Sequence, residues 1–107
     1  MKFKVLICLL SLSLSASLQA FTVKNQLATK SVTLTNFVYY FGSTAMPVSR
    51  TVTVNPGGQW ASDQQPNTTG SCTATAGQRT FDLSGLLPAD VVIFYADSTG
   101  KIQYKLQ

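Results

Sequence analysis

From residue 21 onward, the hydrophobic positions recur with a period of two, and no stretch sustains a helical period. In Phe21–Leu27, the side chains of Phe21, Val23 and Leu27 fall on one face, with Thr22, Lys24 and Gln26 on the other. After a short turn at Ala28-Thr29-Lys30, the run Ser31–Phe41 begins with Val32 and Leu34 inward and threonines outward. Gly42–Pro47 breaks this run. Val48–Val54 then places Val48, Val52 and Val54 on one face, and Asn55-Pro56-Gly57-Gly58 signals a turn. Apart from Trp60, Gln59–Gly70 is polar and reads as a long loop.

Two hairpins make up the second half. Ser71–Ala76 and Arg79–Ser84 flank Gly77-Gln78, where glycine in the first central position suits a type II′ turn. Val91–Ala96 and Lys101–Leu106 flank Asp97-Ser98-Thr99-Gly100, and the glycine there can take the positive φ that closes the loop. Val91–Tyr95 is apolar on both faces, as a central strand is. In the last run, Ile102, Tyr104 and Leu106 point inward, while Lys101, Gln103 and Lys105 point outward and guard a sheet edge. The pattern predicts an all-β domain of about seven antiparallel strands in a small two-sheet sandwich, with a small β-barrel as the alternative.

The residues before this pattern are of another kind. Lys2 and Lys4 precede the apolar run Val5–Leu14, which is too short to span a bilayer, and Ala16–Ala20 is small and polar. This is the layout of a secretory signal peptide, residues 1–20, with cleavage after Ala20; a cut after Ala16 is the alternative. The expected mature chain is one domain, residues 21–107, secreted or periplasmic. Cys8 departs with the signal, leaving Cys72 without an intramolecular partner. The mature cations Lys24, Lys30, Arg50, Arg79, Lys101 and Lys105 are scattered and nearly balanced by Asp63, Asp82, Asp90 and Asp97. No basic stripe for nucleic acid is visible.

Two short segments resemble known families. Phe81-Asp82-Leu83-Ser84-Gly85-Leu86-Leu87-Pro88-Ala89-Asp90 resembles the strand-to-strand corner of fibronectin type III domains, with Val92 where that family places its corner tyrosine. Phe21–Asn25 together with Val54-Asn55-Pro56-Gly57 is similar to the opening strands of thaumatin-like sandwiches, without the disulfides of that family. Both resemblances imply a sandwich, expected to be immunoglobulin- or fibronectin-III-like in outline, and neither implies an activity.

The chain contains no histidine and no glutamate. A Ser–His–Asp or Cys–His arrangement is therefore impossible, and the commonest transition-metal ligand is missing. The four aspartates are spread out, three of them in turns or loops where such residues cap their own backbone. No catalytic residue, metal site or cofactor is expected, and a small hydrolase is the least favoured class. Cys72 shares its strand face with Ala74 and Ala76 and reads as a buried thiol, with an intermolecular disulfide as the alternative. Asn67-Thr68-Thr69 matches an N-glycosylation acceptor in the polar loop.

The pattern has one irregular place. Extending the parity of Val32 and Leu34 turns Phe37, Tyr39 and Phe41 outward as an aromatic stripe, unless a bulge near Asn36 switches the faces or a loop covers it. An uncovered stripe, joined by Trp60, makes Phe37, Tyr39, Phe41 and Trp60 the candidate partner-binding residues. The expected function is an exported, non-enzymatic module that binds a protein or carbohydrate partner or another copy of itself. The alternative is a membrane-surface-active protein using the same aromatics. The signal reading predicts an exported protein whose first residue is Phe21. N-terminal sequencing of exported material checks this, and an intact Met1 would overturn it.

Overall fold

The computed structural model describes residues 20–107; residues 1–19, on which Cys8 and nearly all of the expected signal peptide fall, lie outside the described residues. Nine strands run in the order β1 (Thr22–Asn25), β2 (Val32–Phe41), β3 (Thr44–Val48), β4 (Val52–Val54), β5 (Gln59–Ala61), β6 (Thr69–Ala76), β7 (Arg79–Leu86), β8 (Val91–Ala96) and β9 (Ile102–Leu106). They form two sheets, one ordered β5-β1-β8-β9 and the other β3-β2-β6-β7, with β4 also paired to β2. No helix occurs among the described residues.

Both sheets contribute their inward positions to one buried cluster. Phe21, Val23, Val92 and Phe94 come from the first sheet and its entry; Val32, Leu34, Ala74, Ala76, Phe81 and Leu83 come from the second. Burying such side chains is the main stabilising term available to a chain whose one described cysteine is free. At one margin, Phe81, Phe94 and Tyr104 join β7, β8 and β9, with ring centroids 5.4–5.9 Å apart.

Several expectations need correcting. Among the described residues the strands number nine and not about seven, because the Val48–Val54 segment is divided between β3 and β4 and because the expected Gln59–Gly70 loop contains β5. Gly42–Pro47 does not break the run: Gly42-Ser43 forms a tight turn, with Phe41 opposite Thr44, and β3 follows. Alternation from that pair leaves the Pro47 nitrogen on the unpaired side of the edge strand, where a missing N–H costs no ladder bond. Trp60 lies in a strand, β5, and not in a loop. One pairing is also parallel: β8 runs alongside β1 in the same direction, while β5 pairs antiparallel with the other side of β1. In β9, Tyr104 and Leu106 extend past the covered part of the core; Leu106 is 57% exposed.

Both expected hairpins form. Among the turn residues of β6–β7, only Gly77 has positive φ (61°), the pattern of a type II′ turn. Gly100, at φ 84°, closes the β8–β9 loop, where the Asp97 carboxylate accepts bonds from the Thr99 and Lys101 N–H groups at 2.9 and 3.0 Å. Those bonds, the Thr99 hydroxyl first, pull the Asp97 pKa down to about 2.

Asn25 is the polar knot of the core. It is 1% exposed. Its Nδ2 donates to the Lys30 and Val54 carbonyls at 2.8 and 3.0 Å, and its Oδ1 accepts the Leu27 N–H at 2.9 Å. Its main chain bonds to Gly57 and Gly58 at 2.8 and 2.9 Å. The two segments that resemble thaumatin-like opening strands therefore meet at this residue. Asn25→Ala would orphan two buried partners and one part-buried one, and is expected to destabilise the domain by about 3 kcal/mol. Denaturant unfolding checks this, and a loss below about 1 kcal/mol would show the knot to be dispensable.

Candidate functional site

Whether the aromatic stripe is exposed depends on Asn36. Its φ is 57°, a left-handed conformation that asparagine tolerates better than other non-glycine residues. The β2–β6 register shifts between Thr35 and Val38, so Asn36 and Phe37 together face Cys72. This is a β-bulge, and it reverses the parity of everything after it. Phe37 (1% exposed) and Tyr39 (8%) are consequently core residues, which corrects their outward placement. Trp60 closes over them half-buried, its ring 5.5 Å from Phe37 and 5.8 Å from Phe21. Of the four aromatic candidates, Phe41 remains at the surface, because β2 runs beyond the covered core.

Cys72 sits inside the same seam, 4% exposed, and burial pushes its thiol up to about 11. The expectation of a buried thiol holds. An intermolecular disulfide would need a sulfur at the surface, which this position does not offer.

Tyr39 is buried but keeps a polar handle. Its hydroxyl donates to Asp63 Oδ1 at 3.0 Å, and Arg50 Nη2 contacts the other carboxylate oxygen at 3.3 Å. Burial first, and then the bond to Asp63, raise Tyr39 to about 12. The group joins β2, the β3–β4 connection and the loop after β5. Its carboxylate is engaged with both neighbours, so it serves as a clamp. No group of three or more potential metal ligands occurs among the described residues.

The parity reversal sends Tyr40 outward. It pairs with Thr69 at the start of β6, next to the β7–β8 connection. There Tyr40, Gly42, Asn67, Thr68, Thr69, Leu87 and Pro88 line an open concavity of about 490 Å³. That volume lies within the range of about 300–1,000 Å³ usual for small-ligand sites. The exposed apolar residues Tyr40 and Leu87 are among its lining residues.

The two walls are tied together from beneath. Buried Gln64 donates through Nε2 to Thr68 O at 2.8 Å and to Leu86 O at 3.0 Å, linking the Asn67–Thr69 wall to the Leu87–Pro88 wall. Thr68 turns its hydroxyl inward to Gln65 O at 2.7 Å, while Asn67 is held outward at φ 63°. On the other side, Asp90 Oδ2 accepts the Leu87 N–H at 2.8 Å and fixes the corner that resembles fibronectin type III. A glycan on Asn67 would fill this concavity. Gln64, Tyr40 and Leu87 were not singled out from sequence; the proline and glycine flanking them mark only turns.

No protein-family model, curated protein or solved structure matches this chain. No helix among the described residues is long and apolar enough to cross a membrane.

The two ends of the former stripe should respond oppositely. Tyr39→Ser is expected to cost about 3–5 kcal/mol, as large-to-small core changes do. Phe41→Ser should cost less than about 1 kcal/mol; thermal unfolding of the single variants checks both. Because the folded pKa of Tyr39 lies above its unfolded value, its contribution is complete below about pH 10 and is lost as pH rises through about 12. An absorbance titration should show a tyrosine step delayed to about pH 12 that is missing in Tyr39→Phe.

Proposed function

We propose that the chain is an exported, non-enzymatic β-sandwich module, fibronectin- or immunoglobulin-like in outline, that binds a partner at the Tyr40–Asn67–Leu87 concavity. The observation supporting this most directly is the presence of exposed Tyr40 and Leu87 in the lining of one cleft, beneath which Gln64 ties Thr68 to Leu86. Exposed apolar residues gathered on a shaped surface mark binding sites more often than scattered ones do. The non-enzymatic reading is supported by composition. With histidine and glutamate absent, general acid–base work would fall to the aspartates. Asp63, Asp90 and Asp97 are occupied in a clamp and two turns.

The alternative of membrane-surface activity through Phe37, Tyr39, Phe41 and Trp60 loses most of its material, since Phe37 and Tyr39 are core. Hydrogen exchange of residues 21–107, with and without extract from the exported compartment, tests the reading. Protection confined to residues 40–42, 67–69 and 87–88, and lost in Tyr40→Ser/Leu87→Ser at unchanged melting temperature, is expected. Protection centred elsewhere, or unaffected by that double change, would overturn it.

A further inference from the structure

The chemistry of the lining narrows what the cleft can hold. None of its seven residues carries a charge. An anionic ligand would find no lysine or arginine there, and a cationic one no carboxylate. Neither the Asn67 amide nor the Thr69 hydroxyl makes a hydrogen bond among the described residues, in contrast to the inward-turned Thr68. A free amide offers donors and an acceptor, and a free hydroxyl offers both functions, at one rim. The same lining holds the Tyr40 ring, 36% exposed and cross-strand neighbour of Thr69, and the apolar pair Leu87 and Pro88.

A ligand for such a site must be neutral, apolar on one face, and rich in hydroxyls at its edge. An apolar ligand fits less well, because the cleft is open and would leave half of it in water. A peptide strand fits less well too, because extended peptides are held by main-chain groups of a free edge. A pyranose ring meets all three requirements: its C–H face can lie on an aromatic ring while its hydroxyls bond to amide and hydroxyl partners.

We propose that the Tyr40–Asn67–Leu87 cleft is a binding site for a neutral carbohydrate, with Tyr40 as the stacking platform and Asn67 and Thr69 as the hydroxyl-reading groups. The inference rests on the reading of this cleft as the binding surface and adds the ligand class. Thr68 acts indirectly: with Gln64 it fixes the angle at which Asn67 faces the ring. The open cleft contacts one side of the sugar, so binding to a single ring is weak.

The test is a nuclear magnetic resonance titration of nitrogen-15-labelled residues 21–107. The probes are methyl glycosides of glucose, galactose, mannose and N-acetylglucosamine, their neutral oligosaccharides, and glucuronate as an anionic control. Saturable shifts confined to residues 40–42, 67–69 and 87–88 are expected with at least one neutral sugar and not with glucuronate. Tyr40→Ala should weaken that binding about tenfold or more, and Asn67→Ala should weaken it several-fold. Tyr104→Ala removes an exposed ring that does not line the cleft and should leave binding unchanged. Each variant's amide spectrum reports that it is folded. Saturation by no neutral sugar, equal binding of glucuronate, or indifference to Tyr40→Ala would overturn the proposal. If hydrogen exchange still showed extract-dependent protection of the cleft, the carbohydrate class would fall while the binding surface stood.

Discussion

One extra residue at Asn36 decides which aromatic side chains make the core and which meet solvent. Before it, β2 buries Val32 and Leu34; after it, Phe37 and Tyr39. A second bulge answers it across β6, where the β6–β7 register shifts so that Ser84 and Gly85 together face Ser71. Gly85 takes φ 65°, and the parity of β7 reverses so that Leu86 is buried after Leu83. The two bulges flank Ser71–Cys72 and form a seam across the sheet. Beyond the seam, Gly70 approaches Phe21 and Tyr39 so closely that a Cβ there would lie 3.2–3.3 Å from their rings. The cleft lies on this far side, so its existence depends on the seam as much as on its own residues.

The second constraint is polar. A small domain whose one described cysteine is free must hold its sheets together by packing and by satisfied buried groups. Asn25 does this near the turn that follows β4, and Gln64 does it near the cleft. Asn25 is fully engaged, whereas the Gln64 Oε1 is buried without a partner. That difference fits their positions. Asn25 closes the interior at the β1–β2 turn, while Gln64 lies under a site where a loop and a corner must be kept apart at a set distance. An unpaired buried acceptor costs stability, and here the cost falls next to the surface that has a shape to maintain.

The all-β class, the central position of β8, both late hairpins and the inward faces of β1 and early β2 were legible in the sequence, because period-two patterning and turn glycines follow directly from backbone geometry. The bulges were less legible, since an αL asparagine differs from an ordinary one only by its context. Asn36 nevertheless stood out as the point where the pattern failed, and the failure itself was the signal. β3 was missed because Pro47 reads as a breaker, although on the outer side of an edge strand it breaks nothing. β5 was missed because three residues are too few to show a period. The cleft was not legible at all: Tyr40, Asn67 and Leu87 are brought together by strand pairing and by two side-chain ties that no local pattern announces.

The way the sheets end leaves little free edge for a further strand. In the β8–β9 ladder, Asp97 bonds to Lys101 and Gln107 to Val91, so alternation leaves the main-chain groups of Ile102, Tyr104 and Leu106 on the free side of β9. Arg79 reaches across from β7 and occupies the Ile102 carbonyl at 2.9 Å, its guanidinium lying over Phe81. Lys101 and Lys105 stand on either side. On the other sheet, β3 carries Pro47 and the β7 edge is bent by its bulge at Gly85. β5 is three residues long. Each edge is thus shortened, charged, capped or kinked, the devices by which β-proteins avoid pairing with further strands. Self-association by strand addition is therefore disfavoured on every side, and the end of the second sheet, where the bulges have turned Tyr40 outward beside Leu87, is left as the shaped surface on which recognition can rest.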